Sequence, residues 1–283
     1  LVWAALGDVS NYVEPFAGSL AVLLARPTTP RVETVNDLDC YLANFWRAVK
    51  HAPGDVARWA DDPVNEADLH ARHKWLLARR GELAALLDAD PEAFDAKVAG
   101  WWVWGISQWI GDGWCDGGRP SRKIPNVDGQ GNKGVHAADD VGGILRALSS
   151  RLRGVRVACG DWRRVLTSTV IRSHAATGIV LDPPYADGAM DYAAGGMGSG
   201  ISAEVRAWAI EHSTDPALRI VLCGYEGEHA MPAGWRSVEW TAQRGFGAAD
   251  NTNRHRERLW LSPHCVAERP PRQPSLFDFG GAR

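Results

Sequence analysis

The run Gly178-Ile179-Val180-Leu181-Asp182-Pro183-Pro184-Tyr185 constrains the fold more than any other stretch. A short apolar run bounded by turn residues reads as a strand buried on both faces, which is the signature of a central strand in a parallel sheet. Two prolines then stop the strand. They lack N–H donors and fix φ, so the turn is stiff and its carbonyls stay free as acceptors. A carboxylate and an aromatic ring are thereby delivered at the carboxyl end of a strand, where open α/β sheets place their ligands. Taken alone, the same four residues also suit a plain rigid turn.

The rest of the chain supplies the sheet this strand needs. Tyr12 to Phe16 is predicted as a strand ending in a Gly-Ser turn, and Leu20 to Ala25 as an apolar helix. Arg31 to Val35 reads as a second strand, running into Asn36-Asp37-Leu38-Asp39, and Cys40 to Lys50 as a helix. This strand–helix–strand–helix opening is typical of an open parallel sheet. From 51 to 154 the rhythm changes to helices at 66–87, 92–110 and 139–152, with a loop rich in Gly, Pro, Lys and Arg at 111–135. Strand signals return at 155–158, 178–181, 219–223, 237–241 and 258–261, and 186–200 reads as a glycine-rich mobile loop. The division that follows is a discontinuous α/β domain (1–50 and 155–265), a helical insertion (51–154) and a flexible Pro/Arg-rich tail (266–283).

Charge narrows the partners. A formal net charge of -3 excludes a chain that is basic throughout, so any contact with phosphates has to come from local patches. Cys40, Cys115, Cys159, Cys223 and Cys265 are scattered and odd in number, which suits free thiols in a reducing, cytoplasmic setting. No apolar run approaches the length of a membrane span. The histidines show no metal-ligand spacing, and no metal is predicted.

Asp182-Pro183-Pro184-Tyr185, taken with Glu14-Pro15-Phe16-Ala17-Gly18 near the amino end, resembles the Dam-type family of DNA adenine methyltransferases of prokaryotes and phages. The resemblance covers roughly 12–50 and 155–262. It implies a Rossmann-like α/β sheet that binds S-adenosylmethionine, with a helical target-recognition insertion. It assigns Glu14, Pro15, Phe16 and Gly18 to the cofactor, the glycine letting backbone approach its methionine part. Asp37, at the end of the second strand, is placed on the ribose hydroxyls, and Asp161-Trp162, after the third, on the cofactor adenine. Asp37 also suits a surface acidic turn, and Asp161 a helix N-cap. The order of cofactor motif, insertion and catalytic motif goes in this family with adenine N6, and restriction–modification is one setting for such enzymes.

The implied chemistry explains the residue types. An adenine amine is a poor nucleophile because its lone pair is delocalised into the ring. Asp182 and the Pro183 carbonyl can accept both amine hydrogens, which favours a pyramidal nitrogen aimed at the methyl donor. Pro184 keeps the turn rigid, and Tyr185 offers a face to a flipped base. Other amines remain open as substrates: cytosine N4, RNA adenine or a protein amide. Related turns for these often begin with Ser or Asn, so Asp182 favours adenine. A non-catalytic DNA-binding module with the same fold is the reading from another class. Two departures from the family bear on it. Relatives carry Gly-Gly-Lys before the first strand, which is lacking between Leu1 and Tyr12, leaving a chain truncated at its amino end or another group in that role. A glycine common in the cofactor motif is replaced by Leu20.

For DNA, Arg119, Arg122, Lys123 and Lys133 lie in the glycine-containing loop, suited to a phosphate backbone or base edges. Trp114 in that loop is the candidate for stacking on a base, whereas Trp101, Trp102, Trp104 and Trp109 on the preceding helix read as core. Arg254, Arg256 and Arg258 flank the last strand and are read as DNA-facing. Near the end, Gln273-Pro274-Ser275-Leu276-Phe277 resembles the short peptides by which bacterial proteins dock on the replication sliding clamp, with Gln273, Leu276 and Phe277 as anchors. Leu276, Phe277 and Phe279 equally suit folding back onto the domain.

Overall fold

The computed structural model describes residues 1–28, 31–90, 92–110, 114–115, 124–125, 135, 138–185, 198–240 and 256–266. Arg119, Arg122, Lys123, Lys133, Arg254, Gln273, Leu276, Phe277 and Phe279 lie outside these residues, as does 186–197 of the expected loop.

The chain opens with helix α1 (Val2–Leu6), strand β1 (Asn11–Glu14), helix α2 (Ala21–Leu24), strand β2 (Val32–Asp37) and helix α3 (Cys40–His51). Helices α4 (Pro53–Ala60), α5 (Glu66–Ala89), α6 (Ala96–Ile106) and α7 (Val141–Leu152) follow, and then strand β3 (Val155–Cys159). A 3-10 turn (Trp162–Val165), helix α8 (Ser168–Ile171), strand β4 (Thr177–Leu181), helix α9 (Gly198–His212) and strands β5 (Leu218–Tyr225), β6 (Arg236–Glu239) and β7 (Glu257–Leu261) complete it.

Among the described residues the strands form one seven-stranded sheet in the order β3-β2-β1-β4-β5-β7-β6. The first five in that order are parallel neighbours, and β7 runs antiparallel between β5 and β6. This is a Rossmann-like mixed α/β sheet, as the sequence leads one to expect. Its winding reverses at β1, which pairs with β2 on one side and β4 on the other. Such a switch point opens a crevice at the carboxyl ends of the strands.

Side-chain alternation builds a core on each face of the sheet. Tyr12, Val180, Val221 and Cys223 belong to one apolar cluster, and Val13, Ile179, Leu181, Ile220 and Leu222 to the other. The first cluster continues without a break into α3 to α7 through Phe45, Val56, Leu76 and Trp104. Helix starts follow capping chemistry. Asp39 accepts the N–H of Tyr41, Asn65 that of Asp68, Asp95 that of Val98 and Asp140 that of Gly143. The Asp95 cap is why α6 begins four residues later than the predicted 92.

The predicted strands are all present, with β2 reaching two residues further, to Asp37, and β5 extending to Tyr225. Helices α1, α4, α8 and α9 are additions to the sequence reading. All five cysteines are free thiols. Among the described residues no helix is long and apolar enough to cross a membrane.

Candidate active site

The loop after β1 is clamped to the end of β2. The Ala17 N–H donates to the Asn36 carbonyl (2.9 Å), and the Gly18 N–H donates to Asp37 Oδ2 (3.0 Å). Trp46 Nε1 donates to the Gly18 carbonyl from α3. Asn36 Nδ2 donates both to the Pro15 carbonyl and to the Gly160 carbonyl, so one amide ties the ends of β1, β2 and β3 together. Gly18 has φ +46, and a Cβ built there meets nothing within 4 Å. Leu20, standing where relatives often have glycine, keeps a left-handed backbone at φ 58. That conformation is strained for a residue with a Cβ, and the complete burial of the leucine side chain offsets it.

Three carboxyls face this edge of the sheet. Glu14 is buried and accepts the Tyr12 hydroxyl (2.9 Å). Burial lifts its pKa to about 8, with Asp182 and Asp37 adding repulsion. Asp37 is also raised by burial, against the N–H groups of Asp39, Gly18 and Leu38 that favour its charged form. Asp182 follows β4 directly. Crowding by protein atoms raises it to about 6, while hydrogen bonds from Tyr185 and Cys223 work the other way. The residue itself is open to solvent, and that access moderates the desolvation.

Asp182 and Tyr185 meet directly. The Tyr185 hydroxyl donates to Asp182 Oδ1 at 2.9 Å, closing a ring across the buried Pro183 and half-buried Pro184. The turn lies next to the clamped loop because β4 pairs with β1, Val13 facing Ile179. The structure thus brings Glu14, Pro15, Phe16, Gly18, Asp37 and the Asp182–Tyr185 turn to one edge of the sheet.

Gly160-Asp161-Trp162 reaches the same edge after β3, where the Gly160 N–H donates to the Asp37 carbonyl. The Asp161 carboxylate caps the 3-10 turn through the Arg163 N–H (2.9 Å), pairs with the Arg163 guanidinium, and is exposed. Trp162 is buried against Phe16 and Trp208 with Arg163 over its ring. Asp161 is therefore the member of that pair open to a ligand.

The expectation for Trp114 is corrected. It is not an exposed stacking platform: the residue is 9% exposed, and its ring lies against His73 and Trp109 and donates Nε1 to the Trp102 carbonyl. The physical reason is a slot left by Gly105, where a Cβ would stand 1.9 Å from the Trp114 ring. Trp102, Trp104 and Trp109 are likewise buried, and Trp101 is half-buried. Arg258 pairs with Glu226 and Glu239 at the sheet edge.

Two residues to which the sequence reading gives no part in the site also stand here. Cys223 lies on β5 beside Asp182, and Tyr225 ends β5 with its ring 4.6 Å from that of Tyr185. Only the pairing of β4 with β5 brings them in, so no local motif announces them.

A family model described as D12 class N6 adenine-specific DNA methyltransferase matches residues 5–76. The matched stretch holds the Glu14–Gly18 loop and Asp37. It supports the Dam-type family and, with it, DNA adenine methylation in general. No curated protein matches the chain.

Proposed function

We propose that this chain, related through residues 5–76 to the D12 class adenine methyltransferases, transfers a methyl group from S-adenosylmethionine to the N6 amine of adenine at a specific site in double-stranded DNA. The observation that carries this reading is the placement of the Asp182–Tyr185 turn beside the clamped Glu14–Gly18 loop, at the switch point of the sheet.

The residues fit the cofactor. Glu14, Asp37 and Asp182 crowd one edge with carboxyls raised by burial, and a ligand bearing sulfonium and ammonium groups relieves that crowding. Glu14, Pro15, Phe16 and Gly18 would hold the methionine part, with Trp162 packed beneath Phe16. Asp37 would hold the ribose, and Asp161 the adenine. When bound, S-adenosylmethionine supplies an electrophilic methyl group on sulfur.

The protein's part is to orient and to exclude alternatives. Asp182 and the Pro183 carbonyl accept the two amine hydrogens of a target base swung out of the duplex, and Tyr185 carries its face. Asp182, to which the amine already donates, would take the proton that the target nitrogen gives up on accepting the methyl group, and the Pro183 carbonyl would hold the hydrogen that stays. Arg119, Arg122, Lys123 and Lys133 supply positive charge for the DNA backbone, as a chain of net charge -3 requires of its local segments.

The test is sequencing of modified bases in DNA from cells expressing the wild-type chain or Asp182→Ala. The expected result is N6-methyladenine at a recurring sequence with the wild type and none with the variant. Purified Asp182→Ala should lose about a hundredfold or more in transfer rate, since it removes an acceptor used at the reacting nitrogen. Its cofactor affinity should stay near that of the wild type. Methylated cytosine instead of adenine, or a variant as active as the wild type, refutes the reading.

A further inference from the structure

We propose that Tyr225 is a positioning residue that holds the Tyr185 ring in the attitude needed to receive the target base, an inference that rests on the function proposed above. Tyr225 is the last residue of β5, and the register Leu181 to Leu222 sets that strand's end beside the Asp182 turn. Its ring meets the Tyr185 ring at 4.6 Å with the planes at 67°, an edge-to-face pair. Arg256 lies over the Tyr225 ring, 5.1 Å from its centroid. A continuous line of contacts therefore runs from Asp182 through Tyr185 and Tyr225 to Arg256.

The two tyrosines are anchored differently. Tyr225 is fixed by its backbone: its N–H donates to Glu228 Oε2 (2.9 Å), and it faces Glu257 across the β5–β7 ladder. The next residue locks Arg256 in place, the Glu226 N–H donating to the Arg256 carbonyl at 2.6 Å. Glu228 is held in turn by the Ser202 hydroxyl. Tyr185 instead hangs from the proline turn, and its hydroxyl is bound to Asp182 Oδ1. An incoming amine needs that same carboxylate, so the hydroxyl has to yield when the base arrives while the ring stays where it can stack. The edge-to-face contact with Tyr225 keeps the ring in place once the hydroxyl lets go.

The test compares Tyr225→Phe, Tyr225→Leu and Tyr225→Met with the wild type, using labelled S-adenosylmethionine and long unmethylated DNA of mixed sequence. Rates are normalised to the number of cofactor sites counted by calorimetry, so that loss of folded protein is not read as loss of rate. Tyr225→Phe keeps the ring contact and should transfer within about twofold of wild type. Tyr225→Leu and Tyr225→Met should lower kcat by about tenfold, the scale of one base–aromatic stack, with KM for DNA and cofactor Kd little changed. Added to Tyr185→Leu, Tyr225→Leu should cause no further loss, because it acts through Tyr185. Leu and Met variants as fast as the wild type, or losses that add fully in the double variant, overturn the role of Tyr225 and leave the proposed function standing. A wild-type chain that methylates no DNA overturns the function, and the role of Tyr225 falls with it.

Discussion

Glu14 carries a proton at pH values where an ordinary glutamate has lost it. Burial raises its carboxyl to about 8, with repulsion from Asp182 and Asp37 adding to the effect and the Tyr12 hydroxyl opposing it. In the unfolded chain the group returns to its ordinary value of 4.5. Between those values the native state binds more protons than the unfolded state, so the contribution of Glu14 to stability falls as pH rises through the window. Glu14→Gln should flatten that fall and melt above the wild type at pH near 8, measured by thermal unfolding across the window. Parallel pH profiles for the two proteins would contradict it. Glu14 and Asp182 were legible in the sequence because turn chemistry places them locally, each at the end of an apolar strand. Tyr225 and Cys223 were not, since strand pairing brings them to Asp182 from some 40 residues away.

At the scale of elements, α6 and the residues after it are fitted together by the absence of a side chain. A Cβ on Gly105 would lie 1.9 Å and 2.1 Å from Trp114 ring atoms, far inside contact distance. Gly105→Ala therefore sets a helix-propensity gain of about 1 kcal/mol against overpacking of about 1–3 kcal/mol, and the overpacking wins where the ring cannot move. Trp114 is held by its bond to the Trp102 carbonyl and by His73, so the variant should melt below the wild type. If the ring is expelled instead, tryptophan emission shifts to the red. A variant as stable as the wild type with unchanged emission would mean that the slot is not filled. This pairing shows why the sequence reading misjudged Trp114: a tryptophan in a glycine-rich stretch looks exposed until its slot is known. Helix α9 was missed for a related reason, because its glycine-rich start hides the spacing of Ile201, Val205 and Ala209. The Asp95 cap of α6 was missed as well, the sequence reading having started that helix at 92.

At the scale of the whole molecule, the helices between β2 and β3 share one apolar core with the sheet. The sequence reading marks 51–154 as a helical insertion that splits one α/β domain, because its rhythm differs from that of the flanking strands, and rhythm carries no information on which helix faces are shared. Helix α3 is where the two regions join: Phe45 packs on Trp102 of α6, Tyr41 donates its hydroxyl to the Leu76 carbonyl of α5, and Asn44 exchanges hydrogen bonds with the Asp95 backbone. A core without a break predicts that damage far from the sheet is felt at the site. Trp104 is the residue to probe, being fully buried, hydrogen-bonded through Nε1 to the Asp62 carbonyl, and covered by Arg72. Trp104→Ala should cost about 3–5 kcal/mol, the usual range for emptying a large aromatic site. Unfolding followed by circular dichroism and unfolding followed by loss of binding of the proposed cofactor, S-adenosylmethionine, should then move together, as one transition with a lowered midpoint. Two transitions, with cofactor binding lost at the wild-type midpoint, would mean that the sheet folds independently of its helices. A single transition would mean that the helices between β2 and β3 stabilise the Glu14–Gly18 loop and the Asp182 turn as one unit with the sheet, the loop being tied to them directly by the bond from Trp46 of α3 to the Gly18 carbonyl.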